Sequence, residues 1–288
     1  MKYFYYPGCS LEGTAREYDH STRAVMVTLG AELLEIDDWT CCGASAADSL
    51  SYLLSMALPA RNLALAAQVD AKADFLIPCS ACYLNLRKVD DHLQRDAALA
   101  GRINSVLGEE GLNYPGGAKA RHLLDILAND IGAEGLQGRI TRPLSGLCIA
   151  LYYGCQVLRP YGAFDDPEQP RSMEALVTAL GAEVFPWSMG ARCCGAGLMT
   201  TKKPVAMKAV GELLSAARGA DAIVTVCPMC QMNRESFQKK ASRMRGEDLS
   251  ISVLYLPQLM GMAMGLGPEA VKLNQNLALS EAFKVRLG

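Results

Sequence analysis

Ten of the eleven cysteines in this 288-residue chain fall into one order that is written twice. Cys9 precedes the adjacent pair Cys41 and Cys42, and Cys79 and Cys82 follow as CxxC. Cys155 precedes the adjacent pair Cys193 and Cys194, and Cys227 and Cys230 follow as CxxC. The flanks repeat too. YYPGC at 5–9 answers YYGC at 152–155, CCGAS at 41–45 answers CCGAG at 193–197, and FLIPCSAC at 75–82 answers VTVCPMC at 224–230. Chance does not place ten cysteines in this order, so the chain reads as a tandem duplication. Whatever fold it adopts is two copies of one small unit, with domains expected over 1–140 and 141–288.

Local signals place the motifs on elements. Aromatic residues over 2–6 end at Pro7-Gly8 and predict a strand entering a turn. Helical spacing over 15–29 ends at Gly30. A short strand over 32–36 leads to the first cysteine pair, a long helix over 48–69 carries Pro59 as an expected kink, and a strand over 74–77 runs into the CxxC, with a helix over 81–93 behind it. The second half repeats the series: strand 147–153, helix 172–180, strand 183–185, helix 204–218, strand 222–226, and a helix from Met229. Strands alternating with helices imply parallel βαβ units, so each half is expected to be a small α/β domain. All ten cysteines then follow the C-terminal ends of strands, where ligand sites gather in open α/β sheets. The segment 108–146, with Gly116, Gly117 and Gly132, is expected to link the halves, with His122 in a helical stretch.

Eleven cysteines are informative only once the compartment is considered. No run approaches the roughly 20 apolar residues that a membrane helix needs, and MKYFYYPGC lacks the apolar core and cleavage site of a signal peptide. A cytoplasmic location is therefore expected, where thiols stay reduced and metal or redox chemistry is favoured over disulfides. A formal net charge of −2 gives no reason to expect nucleic acid or an anionic membrane surface as partner.

Five thiols per half exceed what familiar sites use. Tetrahedral zinc takes four ligands, and an ordinary cubane takes one thiolate per iron. Adjacent side chains on extended backbone point different ways, so Cys41 and Cys42, or Cys193 and Cys194, are poor chelators of one ion. They fit two irons or a bridge, hence an unusual or larger cluster. Gly43 and Gly195 are expected to let backbone pass close to inorganic sulfur. Zinc in one or both halves, and a thioredoxin-like dithiol at Cys227-Pro-Met-Cys230, remain open alternatives. The bacterial ferredoxin run is absent. Gly195-Ala-Gly197 is not a dinucleotide fingerprint, so electrons are expected from a partner.

Two copies of Cys…Cys-Cys-Gly…Cys-x-x-Cys resemble the paired CCG (cysteine-rich) domains of the heterodisulfide reductase B subunit family. The resemblance spans nearly the whole chain and includes PGCSLEGTAREYD near the start, ALPARNLALA around Pro59, and residues 152–155. It implies two non-cubane [4Fe–4S] clusters. Cys9, Cys41, Cys42, Cys79 and Cys82 would hold the first, and Cys155, Cys193, Cys194, Cys227 and Cys230 the second. It further implies reductive cleavage of a disulfide such as that of coenzyme M and coenzyme B between the clusters, with a ferredoxin-like C subunit and a flavin-bearing A subunit as partners. The shorter gap before Cys227 would reshape one wall of the substrate cleft. An electron relay in a quinone-linked respiratory complex, or a zinc-stabilised scaffold, is the competing reading.

Other residues carry weaker signals. Cys148 is expected to be a buried structural thiol. His20, His92 and His122 read as surface or satisfied helix residues. Tyr6 and Tyr153 line the cleft or the core. Met260, Met262 and Met264 read as core first and docking surface second.

Overall fold

The computed structural model describes residues 1–287 except 45, 71, 73 and 163. The last residue of the CCGAS repeat thus lies outside the described residues. In the first half, β1 (Lys2–Tyr5), β2 (Glu32–Glu35), β3 (Asp74–Ile77) and β4 (Lys119–His122) form a sheet in the order β2-β1-β3-β4, every pairing parallel. In the second, β5 (Cys148–Tyr152), β6 (Glu183–Val184), β7 (Ala222–Thr225) and β8 (Ser252–Tyr255) repeat that order and sense.

The connecting helices of the first half are α1 (Gly8–Glu12), α2 (Arg16–Thr28), α3 (Ala47–Leu50), α4 (Tyr52–Val69), α5 (Ser80–Arg95) and α6 (Ala97–Gly108). After β4 come α7 (Leu123–Ile126), a π-helical turn over Leu127–Ile131, and α8 (Gly132–Leu136). The second half has α9 (Ser172–Ala179), α10 (Lys203–Ala216), α11 (Pro228–Arg245), α12 (Leu256–Ala263) and the terminal α13 (Glu281–Leu287). The expected long helix over 48–69 is two helices. Its break falls at Ser51, whose hydroxyl caps α4 by accepting from Leu54 N–H, while Pro59 lies inside α4.

Three expectations are corrected. The 108–146 segment is not only a linker, because it supplies β4, and β8 adds the matching fourth strand at the other end of the chain. His122 ends β4 fully buried rather than riding a helix. Cys148 opens β5 only half-buried, its N–H donating to Asp221 Oδ2 at 2.7 Å. The methionines settle as core: Met260 and Met262 are buried in α12, which packs against α2 of the other half.

The halves meet through reciprocal helix pairs. α2 lies against α12, and α9 lies against the helices that follow β4. Tyr18 of α2 stacks on Tyr255, ring centroids 4.0 Å apart. The same interface buries two carboxyls, Glu17 and Glu235. Burial first, and then the nearby Glu17 charge, push the Glu235 carboxyl up to about 7, although Oε1 accepts from Leu277 and Ala278 N–H. The folded chain therefore keeps a proton that the unfolded chain releases near its ordinary value of 4.5. Stability is expected to fall as pH rises from about 4.5 to 7, by up to roughly 3 kcal/mol from this group. Glu235→Gln should flatten that slope. Denaturant midpoints of both proteins at pH 5 and pH 8 check it, and parallel curves would sink it.

Candidate metal centres

Each half gathers its five thiols at the C-terminal edge of its sheet. Cys9 sits in α1 just beyond β1, and the adjacent pair follows β2. Cys79 occupies the N-cap of α5 and Cys82 its first turn; Cys227 and Cys230 stand likewise at the start of α11. Cys9 and Cys41 Sγ lie 3.6 Å apart, and Cys42 and Cys82 Sγ 3.4 Å apart. In the second half Cys194 and Cys230 Sγ are 3.5 Å apart. Cys193 Sγ accepts from Gly195 N–H at 3.3 Å. All are free thiols. Among the described residues no three His, Cys, Asp or Glu side chains converge as a ready mononuclear metal site.

Thiols this close share protons. Contact with Cys42 and Cys9 holds Cys41 down to about 2, and contact with Cys41 pushes Cys42 up to about 12. Contact with Cys155 holds Cys193 down to about 6, and contact with Cys230 does the same for Cys194. Each half therefore contains at least one thiol ready to ionise, which is the ligating form.

Each set is buried on one side and open on the other. Cys42, Cys79, Cys82, Cys194, Cys227 and Cys230 are buried. Cys9, Cys41 and Cys193 are exposed and Cys155 is half-exposed.

Glycines serve this convergence in two ways: Gly195 brings its backbone N–H to Cys193 Sγ, and two further glycines face the thiols directly. Gly43 and Gly195 both have φ +75°, and a Cβ there would meet Ala47 and Leu58, or Ala206, rather than sulfur. The glycines whose Cβ position faces a thiol are Gly8 and Gly154. A Cβ on Gly8 (φ +71°) would lie 2.8 Å from Cys82 Sγ, and one on Gly154 (φ +79°) 3.3 Å from Cys230 Sγ. That close approach of backbone to sulfur, with five thiol donors at one sheet edge, fits a group of iron and sulfide held by thiolates.

The supports are duplicated as well. Tyr6 donates its hydroxyl to Thr40 O, just before the first cysteine pair, and Tyr152 donates to Arg192 O, just before the second. The structural counterpart of Tyr6 is thus Tyr152; Tyr153 instead accepts from Met173 N–H. Asn85 Nδ2 donates to Cys42 O at 3.0 Å, and Asn233 Nδ2 to Cys194 O at 2.7 Å. CxxCxxN, written twice, was the available signal for these asparagines. Their roles follow from the loops they tie, since each pins the cysteine pair of one loop to the helix that carries the CxxC.

The two sets also touch each other's supports. The Tyr18 hydroxyl lies 3.1 Å from both Pro78 O and Val226 O, the residues before Cys79 and Cys227. Ser80 Oγ donates to Val226 O at 3.3 Å and lies 3.3 Å from His122 Nε2. Since His122 Nδ1 accepts from Leu124 N–H, its proton belongs on Nε2, facing Ser80. Burial lowers this imidazole to about 4, so it stays neutral. Of the other histidines, His20 is exposed, and His92 bridges the Tyr52 and Tyr161 hydroxyls. Cavities of about 540, 510 and 560 Å³ lie elsewhere: against Trp187 and Arg171, at Ser250 and Lys239, and at Arg87 and Asn129.

Comparison with known proteins agrees with the duplication. The CCG "Cysteine-rich domain" family model matches residues 3–87 and 149–233. The "8-methylmenaquinol:fumarate reductase membrane anchor subunit" of Wolinella succinogenes is 36% identical over 280 residues, covering 96% of each chain. A protein of Archaeoglobus profundus, described as like the B subunit of heterodisulfide reductase, is 30% identical over 280 residues, 94% of this chain and 93% of the other. The B subunit of the ferredoxin/F(420)H(2)-dependent CoB-CoM heterodisulfide reductase of Methanosarcina acetivorans is 29% identical over 287 residues, 97% and 95%. A solved structure of a hypothetical protein from Helicobacter pylori superposes with a TM-score of 0.79 over 98% of this chain and about half (52%) of that one; at 15% identity it speaks to fold alone. Among the described residues no helix is long and apolar enough to cross a membrane. With both halves matched and relatives aligned along almost its full length, this chain belongs to the CCG cysteine-rich domain family, in its tandem form.

Proposed function

We propose that this chain is the iron–sulfur redox subunit of a larger oxidoreductase, and that its two centres together deliver two electrons to a small disulfide. Cys9, Cys41, Cys42, Cys79 and Cys82 would hold one [4Fe–4S] cluster of non-cubane type. Cys155, Cys193, Cys194, Cys227 and Cys230 would hold the other. Bound there, each cluster supplies one-electron chemistry at a potential its surroundings set.

The observation that carries this reading is the one-sided burial of each thiol set. A relay can work through buried ligands, whereas cleaving a bond at a centre needs room for a substrate atom to reach it. An open edge at Cys9 and Cys41, and at Cys155 and Cys193, lets a substrate atom approach each centre. The buried edges back onto the shared Tyr18 and Ser80 contacts, which hold the two CxxC loops side by side. Cleaving R–S–S–R′ to RSH and R′SH takes two electrons and two protons, and one electron through each half meets that need. The electrons would come from one-electron donor subunits, a ferredoxin-like and a flavin-bearing partner. So many free thiols suit a reducing compartment such as the cytoplasm. Zinc fits less well, because a tetrahedral site leaves one thiol of five idle.

The 36% relative favours a second reading, electron transfer in a quinol-linked respiratory complex. Anaerobic reconstitution with iron and sulfide decides between them. An EPR signal of the oxidised centres that changes on adding the coenzyme M–coenzyme B disulfide supports disulfide cleavage. A signal indifferent to disulfides but reduced by a menaquinol supports the second reading. A colourless protein that takes up zinc and no iron would remove both.

A further inference from the structure

The duplication is broken one turn after each CxxC. The first half reads CSACYLNL over 79–86, the second CPMCQMNR over 227–234. Leu86 and Arg234 are therefore counterparts, each fully buried. Arg234 stands four residues after Cys230 on α11, hence on the same face, with its side chain leaning toward the helix start where the thiols are. Its guanidinium carbon lies over the Tyr152 ring, 3.7 Å from the centroid. Tyr152 is the residue that ties the second cysteine pair, and Cys194 feels the Arg234 charge directly.

None of the three guanidinium nitrogens finds a hydrogen-bond partner among the described residues. The adjacent Glu235 is turned to the opposite task of accepting from Leu277 and Ala278. A buried cation without an anion is destabilising by several kcal/mol. The ring face offsets only part of that. The thiol set that begins one turn earlier on the same helix face would supply the missing anion, and Cys194 lies within reach of the Arg234 charge. An iron–sulfur core carried by five thiolates is a net anion, and its net charge and hydrogen bonds to sulfur govern its potential.

We propose that Arg234 is the counter-charge of the second centre alone and sets its reduction potential above that of the first, where Leu86 offers no charge. This rests on the reading that both halves hold iron–sulfur clusters. The two centres then differ in order of reduction: the first electron from a one-electron donor settles in the second half, and the first half fills afterwards. A duplicated pair thereby acquires a direction.

The test is a potentiometric titration, read by EPR, of the full chain with its iron and sulfide restored anaerobically. The wave that vanishes in Cys194→Ala identifies the second centre. Arg234→Leu, which copies the first half, is expected to lower that wave by at least a tenfold fall in its reduction constant, ~59 mV for one electron. The other wave should stay in place. Arg234→Gln, nearly isosteric and neutral, should do the same and carries the test where the leucine variant does not fold. Arg234→Lys should shift the wave least. A second-centre wave that stays put in the neutral variants, or two waves that move together, would overturn the assignment. Wild-type protein that binds no iron and sulfide at all would instead overturn the reading beneath it.

Discussion

Cys194→Ala is expected to leave a folded protein that has lost one of the two proposed centres. The site is buried, but the change removes a single sulfur, and α10 and α11 still close over it. Four thiols would remain in that half: Cys155, Cys193, Cys227 and Cys230. Iron and acid-labile sulfide should fall to about half of the wild-type content, with the far-ultraviolet circular dichroism unchanged. The proposed disulfide-reducing turnover should fall by roughly 10²-fold or more, past what losing a supporting hydrogen bond near a metal costs. Cys42→Ala should do the same to the first half. Cys148→Ala, outside both sets, should change neither metal content nor turnover. A Cys194→Ala protein with half its iron and undiminished turnover would show that the two halves do not act as a pair.

Gly8→Ala is expected to have the second-largest effect, because two costs coincide. A positive φ of +71° is strained for any residue with a Cβ, at about 1–3 kcal/mol. That same Cβ would lie 2.8 Å from Cys82 Sγ, so the thiol must move from its place. Thermal unfolding should drop by several degrees, and the first centre should take up little iron while the second fills normally. Gly30→Ala separates the two costs. It has φ +80° and open space around the added carbon, so strain alone applies, and iron uptake should be intact. Gly154→Ala, with a contact of 3.3 Å to Cys230 Sγ, should fall between them. Equal iron uptake by Gly8→Ala and Gly30→Ala would contradict the proposed cradle.

Much of this was legible in the chain. Strands that end at cysteines announce themselves through aromatic or β-branched runs stopped by turn residues, and six such strands agree with the structure to within a residue or so at each end. The fourth strand of each sheet was not legible. KARH at 119–122 carries two cations and a histidine, and only pairing with β3 makes it a strand. SVLY at 252–255 has a proper strand composition, but it runs straight into the apolar, methionine-rich α12, and periodicity does not mark where one ends. The repeat itself misled at one point. Matching YYPGC to YYGC by letters pairs Tyr6 with Tyr153, whereas the extra Pro7 moves the structural partner to Tyr152. Asn85 and Asn233 are readable as CxxCxxN, but only the loops they tie show what they do. Arg234 stands out only in three dimensions, where its guanidinium has no hydrogen-bond partner among the described residues.

The reciprocal helix pairs have a consequence for how such a chain arose. α2 rests on the helix that follows the last strand of the opposite half, and α9 returns the contact. That is the isologous pattern of a two-fold dimer, now closed within one polypeptide. Fusing two copies removes the requirement that they be identical while keeping each dependent on the other for cover. Leucine could then stand in one copy where arginine stands in the other, a divergence that a homodimer is barred from making.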